Sequence, residues 1–301
     1  VAMQLASMGV GKLRLVDSDV VETSNLQRQH LYSVDQVGLP KVEAAAKRLM
    51  GLNPFIELEP IPLGVTPLNA AELIEGCDVV IGALDHMAPR YALNRACLAS
   101  DTPFIHGAAV AYNGNVTTII PKKTACLECF QGGIDDSTLP TCAIVGVHPS
   151  LVNVIGSLMA SEAARVITGH EPALADKLMF VDFQDLSFDV IKLRRSEKCP
   201  VCSVSDKAPY ELEFEPIVEI CGREGRRVFV YQPAERHDLE LYKVIERVEN
   251  EGYEVYAQGM LGFSFLGTGD VKGSVLKSGI VILEGFDDRE SATRFHDHIL
   301  G

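Results

Sequence analysis

The sequence predicts an α/β protein: a mainly parallel sheet covered by helices on both faces, followed by a small α+β domain. Three observations lead there. Short apolar runs alternate with helix-like segments through the first two thirds of the chain, the pattern of repeated β-α-β units. Two Cys-x-x-Cys pairs, Cys126 with Cys129 and Cys199 with Cys202, tie down the later part of that region. Beyond the second pair an acid-rich stretch leads into a separate run of strands and helices.

In chain order, Val1–Ala6 reads as the interior of a helix that ends at Gly9, so the chain is expected to enter a β-α-β unit after its first strand and glycine loop. Met3, Leu5 and Met8 then read as core. Lys12–Val16, Phe55–Ile61, Val79–Ala83 and Phe104–Ala109 are apolar runs of strand length, and Lys41–Met50, Ala70–Glu75 and Pro89–Ser100 read as the intervening helices. Val116–Ile120, Leu178–Asp182 and Val190–Leu193 extend the sheet as later, antiparallel strands. Ser150–Thr168 reads as a long helix stopped by Gly169. The second cysteine pair closes this domain, expected over residues 1–205. In the second domain, residues 206–301, Asp206–Glu219 reads as a linker. Strands at Arg227–Tyr231, Tyr253–Gln258 and Gly279–Leu283 with helices at Leu239–Asn250 and Ser291–His298 give part of a ferredoxin-like order. Gly259–Gly279, rich in glycine, reads as a long loop or hairpin.

A chain of 301 residues with 47% hydrophobic residues can bury a large core. The net charge of −14 excludes a nonspecific nucleic-acid surface, because such binding needs basic residues that release counterions. Leu151–Ile167 is interrupted by Asn153, Ser157, Glu162 and Arg165, so no membrane span is expected. Two metal-type Cys-x-x-Cys pairs among the eight cysteines fit a reducing, cytoplasmic setting better than a disulfide framework. The start of the chain has no signal-peptide pattern.

The most informative string is Asp17-Ser18-Asp19, then Asn25-Leu26-Gln27-Arg28-Gln29, then Lys41. Carboxylates at the end of a strand accept ribose hydroxyls or metal-bound waters, Arg28 can grip phosphate oxygens bidentately, and Lys41 supplies a point charge. The acids alone would equally fit a salt-bridged surface loop. Asp85 follows a strand in Ala83-Leu84-Asp85-His86, a place suited to ligand chemistry in an open sheet and also to a helix N-cap. Cys126, Cys129, Cys199 and Cys202 offer four thiolates in two tight pairs, the donor set of a closed structural Zn2+ site; a redox role would leave one pair unexplained. Cys142 precedes the long helix, where the dipole favours thiolate, or is an ordinary loop thiol. Cys77, Cys97 and Cys221 read as packing residues, Arg90 and Asn94 as residues that orient their helix, and His30, His106, His148, His296 and His298 as satisfied or exposed side chains.

This string, with Lys41 in a Pro-Lys-Val context and Leu52-Asn53-Pro54 beyond, resembles the ubiquitin-activating-like adenylyltransferase superfamily, and within it the ThiF, MoeB and HesA proteins that activate sulfur carriers. The likeness runs from Val1 to about Ser203. It implies a Rossmann-like sheet, ATP with Mg2+ as the nucleotide, and a zinc staple. The resemblance assigns ribose or metal contacts to Asp17 and Asp19, phosphate contacts to Asn25, Arg28 and Lys41, magnesium to Asp85, and a later sulfur or acyl transfer to Cys142. The implied partners are a small ubiquitin-like sulfur carrier ending in Gly-Gly, a sulfur donor and a second copy of the chain as a homodimer. His86 stands where the family has Asn, which favours the rival reading, a noncatalytic zinc-stapled scaffold. A related enzyme acting on RNA fits the acidic charge poorly, and a nicotinamide dehydrogenase has no use for the cations after Asp19.

Overall fold

The computed structural model describes residues 1–134, 145–203, 209, 211–221, 226–269 and 271–301. Its contacts divide the chain into two compact units. One comprises Val1–Leu5 and Val65–Glu213; the other comprises Ala6–Gly64 and Phe214–Gly301. These bodies cut the chain elsewhere than the sequence boundary near residue 205, because residues 6–64 pack with the C-terminal region.

In the unit that includes Ala6–Gly64, the helix α1 (Ala2–Met8) runs out at Gly9, whose φ of +82° suits a glycine stop. Met8, expected in the core, is exposed: it is the last helical residue, and burial falls instead on Leu5 and Ala6. The strand β1 (Lys12–Val16) pairs in parallel with β2 (Glu57–Ile61), and the connection is α2 (Lys41–Leu52). Val42, Ala45 and Leu49 of α2 are buried at the spacing of one helical face. This is one β-α-β step with the long loop 17–40 placed at the carboxyl end of β1.

The same unit holds a six-stranded antiparallel sheet in the order β10-β11-β12-β13-β9-β8. Its strands are β8 (Ile217–Cys221), β9 (Arg227–Tyr231), β10 (Glu254–Gln258), β11 (Gly262–Leu266), β12 (Lys272–Leu276) and β13 (Val281–Glu284). Two helices, α7 (Leu241–Asn250) and α8 (Arg289–Leu300), supply Val244, Val248, Ala292 and Ile299 to a core with Phe229, Phe263, Phe265 and Leu283. Asp288 caps α8 by accepting the Ser291 N–H at 2.7 Å. Two strands lie inside Gly259–Gly279, so that segment is a hairpin rather than a long loop. Another, β8, begins inside the end of the expected linker, at Ile217. Their glycines and acids obscure the strand pattern, while Phe263, Phe265 and Val275 are wholly buried.

The other unit carries a five-stranded sheet in the order β3-β4-β5-β6-β7. It is formed by β3 (Val80–Gly82), β4 (Phe104–Val110), β5 (Asn113–Ile119), β6 (Lys177–Asp182) and β7 (Ser187–Lys192). Only β3 and β4 pair in parallel, across the crossover helix α4 (Met87–Ser100); the other ladders are antiparallel. A mainly parallel sheet was expected, and the described strands do not form one. For β4–β5 and β6–β7 the reason is chain length: residues 111–112 and 183–186 join these neighbours, and a parallel crossover needs about a dozen residues.

Three more helices belong to this unit: α3 (Ala70–Ile74), α5 (Leu127–Gln131) and α6 (Pro149–Ile167). Among the described residues α6 alone is long and apolar enough to cross a membrane by length and composition. It packs on β4 and β5 with Leu151, Ile155, Met159 and Ala163 buried. It also buries Glu162, whose carboxylate accepts the Thr118 hydroxyl at 2.6 Å and the N–H groups of Ala173 at 3.0 Å and Leu174 at 2.9 Å. Glu162→Ala leaves those donors buried without an acceptor and is expected to lower unfolding stability by about 2–3 kcal/mol in urea denaturation. Thr118→Val, which removes only one donor, is expected to cost less.

Candidate functional site

The loop after β1 is built around one buried cation. Lys41 is the first residue of α2 and is only 7% exposed. Its Nζ lies 2.7 Å from Asp19 Oδ2 and 3.9 Å from Asp17 Oδ2. The main chain repeats the link, with the Lys41 N–H donating to the Asp19 carbonyl at 2.9 Å and the Asp19 N–H to Asp17 Oδ1 at 2.9 Å. Burial opposes the charge on Lys41, but Asp17 and Asp19 outweigh it and hold the ammonium above the ordinary lysine value of 10.5. An ammonium has three donors; Asp19 takes one of them at hydrogen-bond distance, while Asp17 at 3.9 Å acts through its charge.

Asn25 is buried, and its Oδ1 accepts the Glu22 N–H at 3.1 Å in a capping box of the short helical turn Thr23–Asn25. Arg28 donates from Nη1 to the Ser24 carbonyl at 3.0 Å, which fixes the guanidinium stem one turn on. Tyr32 was not singled out by the sequence, and nothing local marks it. Burial, then the charge of Asp17, pushes its phenol above the ordinary value, so it stays neutral beside the ion pair. Thus Asp17, Asp19 and Lys41 come into direct contact, and Asn25 and Arg28 sit in the same loop with their polar groups partly engaged by backbone.

Asp85 belongs to the other compact unit, in the turn between β3 and α4. Its side chain is 73% exposed, and its Oδ1 lies 3.9 Å from His86 Nε2. The N-cap of α4 is His86, with no side-chain capping bond, so the capping alternative for Asp85 does not describe this turn. Arg90 and Asn94 orient their helix, as expected. Arg90 donates to the carbonyls of Gly107, at 2.8 Å, and Leu84, and its Nη1 lies 3.0 Å from His106 Nδ1. His106 is wholly buried; burial and then Arg90 hold its pKa well below the usual range, and Nε2 has no partner among the described residues. That histidine is only half satisfied, against the sequence expectation.

The cysteine pairs converge. The sulfurs of Cys126, Cys129, Cys199 and Cys202 all lie within 4.8 Å of one another, with Cys126–Cys129 at 3.8 Å, Cys126–Cys199 at 3.7 Å and Cys129–Cys202 at 3.4 Å. Four sulfurs at about 2.3 Å around a tetrahedral ion stand about 3.8 Å apart, so the donor set fits a closed metal site. Shared hydrogen bonds with Cys129 raise the Cys126 thiol, while those from Cys126 lower Cys202. The knuckle is fastened to α4. Asn94 Nδ2 donates to Glu128 Oε1 at 3.2 Å and its Oδ1 accepts the Leu127 N–H at 3.1 Å, while Arg95 Nη2 meets Glu128 Oε2 at 2.7 Å. Glu128, inside the first Cys-x-x-Cys, was legible only as an acid between two thiols. Cys97 is buried, and burial pushes its thiol up to about 12, so it packs without reactivity. Cys142 lies outside the described residues.

The chain belongs to the ThiF family, which its residues 1–201 match. It is 40% identical over 199 residues to the SAMP-activating enzyme E1 of Haloferax volcanii, covering 66% of this chain and 73% of that protein. It is 36% identical over 228 residues to the sulfur carrier protein adenylyltransferase of Thermus thermophilus, covering 74% and 83%. With the molybdopterin-synthase adenylyltransferase of Escherichia coli the identity is 38%, over 66% of this chain and 80% of that one. Among solved structures, E. coli MccB with MccA-N7isoASN has a TM-score of 0.61 at 24% identity. That likeness covers 67% of this chain and 63% of MccB, and it concerns the mixed α/β fold alone.

The buried cation makes a pH-dependent prediction. Asp19→Asn keeps the shape but removes a charge from the ammonium, and is expected to destabilise the chain by about 1–2 kcal/mol. A group whose folded pKa is raised stabilises below its unfolded pKa, and that contribution fades as pH climbs toward the folded one. The gap between wild type and Asp19→Asn should therefore narrow above pH 10.5, measured by urea unfolding at a series of alkaline pH values.

Proposed function

We propose that this chain is an ATP-dependent adenylyltransferase that activates the C-terminal carboxylate of a small ubiquitin-like sulfur carrier ending in Gly-Gly. One observation carries the reading: a ThiF-family chain gathers Asp17, Asp19 and the buried Lys41 into one cluster at the carboxyl end of β1. Strand ends in α/β sheets are where nucleotides bind. The relatives are named a SAMP-activating enzyme, a sulfur carrier protein adenylyltransferase and a molybdopterin-synthase adenylyltransferase, which supports a carrier protein as the substrate here. In this reaction the carrier carboxylate attacks the α-phosphorus of ATP and pyrophosphate leaves. No protein nucleophile is needed for that step, so the work of the chain is positioning and charge.

In this reading Asp17 and Asp19 take the ribose or metal side, Asn25, Arg28 and Lys41 the phosphates, and Asp85 holds Mg2+, which neutralises phosphate charge when bound. A hydrogen of Lys41 that is not directed at Asp19 would meet the phosphate oxygen. Cys126, Cys129, Cys199 and Cys202 hold Zn2+ as a structural ion that ties residues 126–129 to residues 199–202. Cys142 follows the adenylation as a thiol that either attacks the acyl adenylate to form a thioester as AMP leaves, or takes the outer sulfur of a persulfide sulfur donor as the donor's thiol leaves. We take residues 1–205 as the adenylation domain, which works as a cytoplasmic homodimer, and residues 206–301 as a C-terminal module.

Carrier-dependent exchange of labelled pyrophosphate into ATP, tried with several carriers ending in Gly-Gly, tests this directly. Arg28→Ala and Asp85→Ala are expected to lower exchange by about a hundredfold or more, the scale of losing a charge that stabilises the transition state. An absence of exchange with every carrier, alongside normal folding, would favour the scaffold reading that His86 first raised. Cys142→Ala is expected to retain exchange and to lose a thiol-sensitive carrier conjugate; loss of exchange in that variant would move Cys142 into the adenylation step.

Metal analysis of reduced protein is expected to find one zinc ion per chain, and Cys199→Ser to lower metal content and thermal stability together, since ordering the site is coupled to folding. Metal-free protein with unchanged stability would exclude the zinc role.

A further inference from the structure

The first turn of α2 is gripped from outside the β-α-β unit that contains it. Glu43, two residues after Lys41, points its carboxylate at the turn between β10 and β11. Oε1 accepts the Met260 N–H and Oε2 the Leu261 N–H, each at 2.8 Å. An acid in the first turn of a helix ordinarily interacts with that helix's own N–H groups. Here both oxygens are committed to a strand hairpin more than two hundred residues later in the chain.

The hairpin is shaped for this contact. A Cβ on Gly259 would stand 2.4 Å from Glu43 Oε2, so only glycine leaves room for the carboxylate. Two further contacts lie just before Lys41. The Ser264 hydroxyl, wholly buried, donates to the Gly38 carbonyl at 2.6 Å, and a Cβ on Gly262 would stand 3.0 Å from Pro40 Cγ, which shows how closely the proline ring lies on the hairpin backbone. Positions 38, 40 and 43 are therefore held by one hairpin, and position 41 lies between them.

We infer that the β10–β11 hairpin braces the start of α2, with Glu43 as the positioning residue that fixes Lys41 against Asp19 and aims its ammonium for nucleotide. The inference rests on the phosphate role proposed for Lys41 and gives residues 254–266 a task within the adenylation site. Two backbone N–H groups accepted by one carboxylate define direction as well as distance. Losing them frees the helix start without touching Lys41, Asp17 or Asp19. Glu43 acts through Lys41 and takes no part in the chemistry.

The test uses the whole chain and two readouts. Limited acylation with an amine-reactive reagent, followed by mass spectrometry, gives the labelling rate of Lys41, with the exposed Lys192 as internal reference. Calorimetry gives ATP affinity. Glu43→Ala and, from the opposite side of the contact, Gly259→Ala are each expected to raise Lys41 labelling and weaken ATP binding by about tenfold, the scale of a lost charge-assisted hydrogen bond. Glu43→Gln, with one acceptor oxygen, should fall between, and the double variant should be no worse than either single one because both remove the same contact. Unchanged Lys41 labelling in Glu43→Ala and Gly259→Ala, with Lys192 also unchanged, overturns the brace. Raised labelling with unaltered ATP affinity keeps the brace and overturns the phosphate role of Lys41. A wild-type chain that does not bind ATP overturns the functional reading, while the labelling arm still decides the brace.

Discussion

An ammonium held out of water is the constraint around which the loop 17–41 is organised. Removing a charge from water costs several kcal/mol unless an opposite charge and full hydrogen bonding replace the solvent. Lys41 meets the charge part of that requirement with Asp19, hydrogen-bonded at 2.7 Å, and with Asp17 at 3.9 Å. Both acids come from the end of β1 and the cation from the start of α2, so the pairing closes the loop between them. The loop then has one arrangement, and Asn25, Arg28 and Tyr32 are placed by it. A surface ion pair would not have this effect, because solvent screening reduces its contribution toward zero.

The four-sulfur cluster does for residues 126–129 and 199–202 what the ion pair does for the loop. Thiols this close repel once ionised, so a cation at their centre is the natural way to keep four of them together. Around them Asn94, Arg95 and Glu128 make a closed set of hydrogen bonds that ties the knuckle to α4. Asp85 stands at the other end of that connection, just before α4, while Arg90 is anchored to carbonyls on either side of it. Helix α4 thus carries the geometry of the metal-type site toward an exposed carboxylate. His106 beside Arg90 is half-paired among the described residues, as is Asn115 Oδ1, and the suppressed charge of the imidazole lowers the cost of that burial.

Much of this was legible without coordinates. The strands at Lys12–Val16 and Arg227–Tyr231 have the bounds their apolar runs imply, and the helix beginning at Lys41 starts where Pro40 allows. The Cys-x-x-Cys spacings identified four sulfurs that do converge. The acids after β1 were recognised as ligand-type residues, but not as partners of a buried lysine, because burial is a property of everything that covers a side chain. Strands β11 and β12 were legible only as one of two readings, loop or hairpin, for a related reason. Gly262, Gly267, Gly269 and Gly273 read as loop punctuation, yet Gly273 sits in the ladder because Phe265 and Leu283 fill the space where its Cβ would be.

By itself the sequence determined the local elements, the family and the inventory of chemistry-bearing side chains, since spacing and residue type act over a few neighbours. Tertiary structure alone decided the order of the strands in each sheet, the pairing of Lys41 with both acids, and the union of residues 6–64 with the C-terminal sheet. Those outcomes depend on which groups can share a proton or exclude water across long separations in the chain. Glu43 shows the difference: in sequence it is one more acid in a helix, and in the fold it is the acceptor for two N–H groups at positions 260 and 261.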